Sequence, residues 1–173
     1  MNRILDDMRR DAIAKIRGVS QWELENGWRR ISNTVVELMV SNELARKEGF
    51  LILEDTQIKS GKDEFFKRLL NSVADGAEPE LIVEMASNEY WLEEPAELDA
   101  MIKYMQIRGV ILMLSHISTL EFKKFLLSLI PKTLCFTYEQ EISIWESEVR
   151  KIAELKLKTF RRELEAGGEK IED

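Results

Sequence analysis

Apolar and polar residues alternate along most of this chain at the spacing of an α-helix. The clearest stripe follows Ser20 in steps of four and three residues and comprises Leu24, Trp28, Ile31, Val35, Leu38, Asn42, Ala45, Gly49 and Ile52. Charged residues such as Glu25, Arg29 and Glu43 lie between them, which predicts one face of a long helix packed against a partner. We expect this helix to continue through Gly49 to about Gln57. The stripe is filled either within the chain or by a second copy.

Cap signals and helix-breaking residues divide the chain into about six helical segments. Ser20 and Glu23 have the spacing of a capping box, and Ser118 and Glu121 repeat it. Asp63 is a suitable cap for the segment after residue 62, and a proline at a first helical position loses no hydrogen bond. The breakers, 8 Gly and 3 Pro, are expected to mark the joints. The short apolar runs lie inside helical periodicity, so no strand is predicted.

The predicted fold is all-α, with a single bundle-like domain built around one long central helix. A chain of 173 residues is long enough to bury a core, and 45% of its residues are hydrophobic. We expect the domain to span residues 1–166. Gly167 and Gly168 would end the last helix, leaving residues 167–173 as a flexible acidic tail.

The charge balance argues against nucleic acid as a partner. The net charge is −7, and the basic pairs of the sequence each lie among acidic residues. The start of the chain has no apolar core of a signal peptide, and the longest apolar run, Val110–Leu114, is too short to cross a bilayer. We therefore expect a cytoplasmic protein that reaches the inner face of the membrane only through a partner.

Residues that carry chemistry are scarce. His116 is the only histidine, and it is interpreted as a core or helix-end residue rather than a general base. Cys135 is flanked by Leu134 and Phe136 and is expected to be a buried structural thiol. Glycine-rich nucleotide-binding loops are missing. We expect no enzymatic activity, no cofactor and no metal; a small helical enzyme would require an acidic cluster in a pocket.

Two stretches carry a more specific signal. Residues 43–54 read Glu-Leu-Ala-Arg-Lys-Glu-Gly-Phe-Leu-Ile-Leu-Glu, and residues 64–82 read Glu-Phe-Phe-Lys-Arg-Leu-Leu-Asn-Ser-Val-Ala-Asp-Gly-Ala-Glu-Pro-Glu-Leu-Ile. Together they resemble the cytoplasmic segment of the MotA family, the ion-channel stator proteins of the bacterial flagellar motor. That family shows Ala-Arg-x-x-Gly-hydrophobic-Leu-x-Leu-Glu, then Phe-x-x-x-x-Leu, then Asp-Gly-x-x-Pro-Glu-Leu. The resemblance covers about a quarter of the chain.

The resemblance implies a pair of partner-binding residues, Arg46 and Glu54. In the MotA family an arginine and a glutamate at these places contact oppositely charged residues of the rotor switch protein. Eight residues are slightly more than two helical turns, so we expect both side chains on one face of the long helix. The transmembrane helices of a stator are missing from this sequence, and the segment near residues 96–117 carries charges that a spanning helix would avoid.

The leading hypothesis is thus a protein-binding module associated with the flagellar motor, whose partner is a rotor switch or stator component. The alternative is a helical scaffold or adaptor unrelated to motility. A homo-oligomer is left open. Among the four tryptophans, most are expected in the core, and Trp22 or Trp91, next to acidic residues at segment ends, is a candidate interface residue.

Overall fold

The computed structural model describes residues 2–55, 63–130 and 135–168, and all its regular elements are helices. An all-α, single-domain fold is therefore confirmed. Seven described helices have ten residues or more, rather than about six, and one further helix has four residues. The helices are α1 Asn2–Arg17, α2 Gln21–Glu48, α3 Ile52–Asp55, α4 Glu64–Ala74, α5 Pro79–Glu93, α6 Glu97–Leu114, α7 Thr119–Ser128 and α8 Cys135–Gly168.

The side-chain caps predicted at the starts of α2, α4 and α7 are all confirmed. At α2 the Ser20 hydroxyl accepts from the Glu23 amide at 3.3 Å, and the Glu23 carboxylate accepts from the Ser20 amide at 2.9 Å. The same reciprocal pair joins Ser118 and Glu121 at the start of α7. Each glutamate carboxylate accepts from the serine hydroxyl and from the serine amide, and these two bonds lower the pKa of Glu23 and of Glu121. Asp63 caps α4, as expected.

The long central helix ends earlier than predicted. α2 stops at Glu48, because Gly49 has φ 84° and ψ −179°, a conformation that only glycine adopts easily. The chain turns there, and α3 begins only at Ile52. The expectation of one helix running to Gln57 is therefore wrong, and Gln57 itself lies outside the described residues. The apolar pattern continued because Ile52 and Leu53 are buried in the same core from a separate helix.

Two parallel helices, α2 and α6, form the centre of the domain. A Cβ added to Gly27 of α2 would stand 2.2 Å from a Leu98 methyl of α6, and one added to Gly109 of α6 would stand 2.6 Å from a Leu38 methyl of α2. Position 27 of α2 thus faces position 98 of α6, and position 38 faces position 109. The residue numbers rise together along both helices, so the two helices run in the same direction. These glycines lie inside helices and permit close packing. The expectation that breakers mark only the joints is therefore wrong for Gly27 and Gly109.

The predicted stripe of α2 is covered within the chain itself. Its members from Leu24 to Ala45 are all buried. α6 covers one side, and α8 covers another, where the Trp28 and Trp145 rings lie 5.8 Å apart. No second copy is needed to fill the stripe. α8 then continues beyond the core, since every described side chain from residue 161 to residue 166 is exposed.

Two predictions about the C-terminal part lie outside the described residues. α8 begins at Cys135, but the structure does not describe that side chain, so the expected buried thiol stays a prediction. The helix reaches Gly168, two residues past the predicted domain end, and residues 169–173 of the predicted tail are not described. Within the described ranges, no helix combines the length and apolar character that crossing a membrane requires.

Candidate protein-binding surfaces

Arg46 lies in the last turn of α2 with its side chain exposed. Its Nη1 donates hydrogen bonds to the Ile117 carbonyl at 3.3 Å and to Thr119 Oγ1 at 3.2 Å. Ile117 lies in the turn between α6 and α7, and Thr119 is the first residue of α7. Because α2 and α6 are parallel, their C-terminal ends meet here, and the guanidinium holds the two ends together at the surface.

Further polar groups fix this corner of the molecule. Thr119 Oγ1 donates to a Glu43 carboxylate oxygen at 3.2 Å, and the other Glu43 oxygen pairs with Lys47 at 3.0 Å. One turn further on, Glu48 accepts two hydrogen bonds from Arg161 of α8, at 2.6 and 3.1 Å. Arg46 is therefore positioned by its neighbours, and charges of both signs surround it.

Two large apolar side chains are exposed at this corner, one in the turn between α2 and α3 and one in the first turn of α7. Leu51, between α2 and α3, is 67% exposed, and Leu120, at the start of α7, is 58% exposed. The α2–α3 turn adjoins the α6–α7 turn, since the Phe50 ring of the first lies 5.5 Å from the His116 ring of the second. We call Arg46, Leu51 and Leu120 the Arg46 surface. Arginine is enriched in protein interfaces, whose buried centre is more apolar than their polar rim.

The structure does not bring Arg46 and Glu54 together as predicted. Glu54 lies in α3, on the far side of the Gly49 turn, so the two residues do not share a face of one helix. That expectation is wrong because it assumed an unbroken helix. The Glu54 side chain lies outside the described atoms, and its predicted role in partner binding stays a prediction.

An open groove of about 580 Å³ continues from this corner between α2, α7 and α8. Charged residues of both signs line its rim, and Val149 and Ala153 of α8 form part of its floor. One pair, Lys123 and Glu146, bridges α7 and α8 across it. The groove lining includes Leu120 of the Arg46 surface and the nearby Glu43, Lys47 and Thr119. The groove therefore extends the same surface with mixed charge.

Comparison with known proteins adds no relative to this description. The sequence matches no protein-family model, no curated protein and no solved structure. The resemblance to the MotA family thus depends on the motifs at residues 43–54 and 64–82 alone. In the structure these motifs form the end of α2, α3, α4 and the first residues of α5.

His116 is a helix-end residue. It follows the C-cap Ser115 of α6, is exposed, and has the left-handed φ of 51°. Of the two positions that its sequence context allowed, core or helix end, the second is therefore correct. Within the described part of the chain, no group of three or more His, Cys, Asp or Glu side chains could hold a metal ion.

A second exposed apolar surface was missed at the sequence level. Leu81, Met85 and Leu92 of α5 are 49%, 53% and 85% exposed. With exposed Asn88 they follow one another in steps of four, three and four residues and share a face of the helix. The spacing was available in the sequence, but only the structure shows that this face has no cover among the described residues. We call these four residues the α5 outer face.

The tryptophans divide evenly between core and surface. Trp28 and Trp145 are buried in contact with each other, whereas Trp22 is 72% and Trp91 42% exposed. The two exposed ones are those singled out from their acidic neighbours. Trp91 lies beside the α5 outer face, with its ring edge-on to buried Tyr90 at 5.0 Å. Trp22 stands alone in the first turn of α2.

Proposed function

We propose that this chain is a non-enzymatic protein-binding module that contacts its partner through the Arg46 surface. The observation that carries the proposal is the position of Arg46 and Leu120. The guanidinium bonds to Thr119, the residue directly before a leucine that is more than half exposed. An arginine that is held in place and has apolar neighbours loses little conformational entropy on binding. Such residues often dominate interface energies.

The finer proposal is that the partner belongs to the flagellar motor, as a rotor switch or stator component. It is supported by the resemblance of residues 43–54 and 64–82 to the cytoplasmic segment of MotA-type stators. The first of these segments includes Arg46 itself. An exposed arginine would steer and orient an acidic partner surface. Glu54 would act on a basic group of the same partner, from α3 rather than from α2.

The proposal is tested by affinity capture of the tagged protein from its native host, followed by mass spectrometry. Wild type is compared with Arg46→Glu, which reverses the charge of the proposed contact. We expect wild type to recover a rotor or stator component and the variant to recover at least about tenfold less, since reversal puts like charges in contact. Circular dichroism would verify that the variant folds.

A matched control distinguishes a local effect from a change in net charge. Arg29→Glu reverses an exposed arginine on the same helix, about four turns before the Glu43–Arg46 corner. It is expected to recover the same partner at wild-type level. Equal loss with both variants would contradict specific contact at Arg46. Unfolding of Arg46→Glu would indicate that its bonds to Ile117 and Thr119 are structural.

The second candidate function is a helical scaffold or adaptor unrelated to motility. The observation that favours it is the α5 outer face, because a second exposed apolar surface allows a second partner. Capture of one discrete protein outside the motor, unaffected by Arg46→Glu, would support the adaptor. A gene position far from flagellar genes would agree with it.

A further inference from the structure

The α5 outer face places three large apolar side chains and one asparagine in a row on the solvent side of the helix. Leu81 and Leu92 lie eleven residues apart, about 16 Å along the axis. The opposite side of the same helix packs into the core, where Ile82, Val83, Ala86 and Tyr90 are buried. Among the described elements, α5 packs against α1, α4 and α6. Single exposed leucines are ordinary, but several large apolar side chains grouped on one exposed face are typical of a binding surface.

The charged side chains that α5 itself carries are all carboxylates. Between Arg68 and Lys103 the sequence has nine carboxylates and no lysine or arginine. Glu80 and Glu84 are exposed on one flank of the row, and Glu89 stands on the other. The α5 helix thus presents apolar residues bordered by acids.

Two of the neighbouring acids already have partners in the chain. Glu89 pairs with Arg68 of α4, and Glu93 pairs with Lys103 of α6, whose hydrogen bond lowers the pKa of Glu93. These pairs attach α5 to its neighbours. Glu80 and Glu84 lie on the solvent side, where a partner's cations could reach them.

We infer that the α5 outer face is the docking site of a basic amphipathic helix from another protein. The apolar stripe of that helix would pack along Leu81, Met85 and Leu92, and lysines or arginines on its flanks would meet Glu80 and Glu84. This is helix-on-helix recognition, with anchors at i, i+4, i+7 and i+11. Asn88, in the middle of the row, would select a partner with a polar residue at the facing position.

A second copy of the chain is a poorer occupant of the same face. Two α5 helices packed along this row would set the acidic flanks of one against those of the other. Like charges in close contact disfavour a pairing. A helix with basic flanks would instead be attracted to the acidic flanks of α5. The negative charge of α5 therefore favours a partner of different sequence over a second copy.

The experiment uses the whole protein and two synthetic peptides of about 18 residues, or five turns. Both peptides carry leucines in steps of four, three and four with one central asparagine. One has lysines on the flanks, and the other has glutamates at the same positions. Binding is measured by calorimetry, and the site is located by amide chemical shifts. We expect the lysine peptide to bind at least about tenfold more tightly and to perturb residues 80–92.

Variants of the α5 outer face decide whether binding occurs there. Met85→Asp and Leu92→Asp each place a charge in the row without changing a core residue. Each is expected to lower the affinity for the lysine peptide at least about tenfold. Glu80→Lys with Glu84→Lys should reverse the preference toward the glutamate peptide. Leu155→Asp, at a leucine of α8 that is 65% exposed, is the matched control and should change nothing.

Three results would overturn the inference. The lysine peptide could bind equally well to Met85→Asp, or both peptides could bind alike. Sedimentation equilibrium could also reveal a dimer that Met85→Asp separates, which would assign the face to a second copy. Arg46→Glu should leave peptide binding unchanged, and Met85→Asp should leave capture through the Arg46 surface unchanged. The two proposals can therefore fail separately.

Discussion

Leu38 of α2 occupies the space that a side chain on Gly109 of α6 would need. A Cβ on Gly109 would stand 2.6 and 2.9 Å from the two Leu38 methyls and 3.2 Å from its Cγ. Leu38 is fully buried, and Gly109 is in the middle of a helix. The glycine therefore sets how closely the two central helices approach, and through them where the Arg46 surface is assembled.

Gly109→Ala is expected to destabilise the protein by about 1–3 kcal/mol. Both methyls and Cγ of Leu38 are in the way, so rotation of the leucine does not make room. The gain in helix propensity, roughly 1 kcal/mol, offsets only part of this cost. Chemical denaturation measures the change in the free energy of unfolding.

Gly27→Ala is the natural comparison. Its Cβ would meet one Leu98 methyl at 2.2 Å, while the next Leu98 atoms lie at 3.6 Å or more, so that leucine can move aside. We expect a change of less than about 1 kcal/mol. Equal costs at both glycines would contradict the difference in packing that the structure indicates.

The turn after α2 depends on Gly49. At φ 84° and ψ −179° alanine is strained, and we expect Gly49→Ala to cost about 1–3 kcal/mol. There is open space around the position, so the cost is conformational rather than steric. Gly18→Ala, at a glycine without a positive φ, should change the free energy of unfolding by much less. A neutral Gly49→Ala would instead indicate that α2 can continue toward α3.

Tyr90 should make the fold sensitive to alkali. Its hydroxyl donates to Asp11 at 2.6 Å, and burial together with this bond raises the pKa of Tyr90 well above its usual range. An unfolded tyrosine ionises near pH 10. The contribution of un-ionised Tyr90 to the free energy of unfolding is thus complete below about pH 10 and is lost progressively as the pH rises further.

The comparison protein is Tyr90→Phe, expected to be about 1–2 kcal/mol less stable at pH 7 because the bond to a carboxylate is lost. The gap to wild type should shrink above about pH 10. Burial also raises the pKa of Tyr104. Because Tyr104 is present in both proteins, its contribution cancels in the difference between their free energies of unfolding. A gap that stays constant up to pH 11 would contradict this role for Tyr90.

Lys156 carries its charge at a cost to the fold. Burial lowers the pKa of Lys156 to about 8, and attraction to Glu37 offsets only part of the effect. An unfolded lysine titrates near pH 10.4, so the folded state is disfavoured most below about pH 8. Lys156→Met should raise stability by about 1 kcal/mol at pH 7, with a gain that fades toward pH 10. Lys158→Met, exposed on the same helix, should show neither effect.

The helix starts were predictable because each depends on a few neighbouring residues. The Ser20–Glu23 and Ser118–Glu121 boxes have local spacing and form as expected. The stripe behind Ser20 was also predictable, since burial repeats at helical spacing. The end of α2 was not. The apolar pattern past Gly49 comes from burial in the same core, and hydrophobicity alone does not report the turn between the helices.

The surfaces were less predictable than the core. Sequence reasoning found Arg46 through a motif, but its bonds to residues 117 and 119 depend on two helices that are distant in sequence. The α5 outer face has the same four-and-three spacing as a core stripe. Only the packing of α5 against its neighbours shows that Leu81 and Leu92 are on the solvent side.

Photo-crosslinking in the native host tests the central claim, partner binding at the Arg46 surface, most directly. A photoreactive residue placed at Leu120 is compared with one at Asn26, an exposed position near the opposite end of α2 from Arg46. We expect a crosslink to one discrete protein from position 120, absent from position 26 and lost when Arg46→Glu is added. The same crosslinks from both positions, or a crosslink from position 120 that Arg46→Glu does not change, would contradict it.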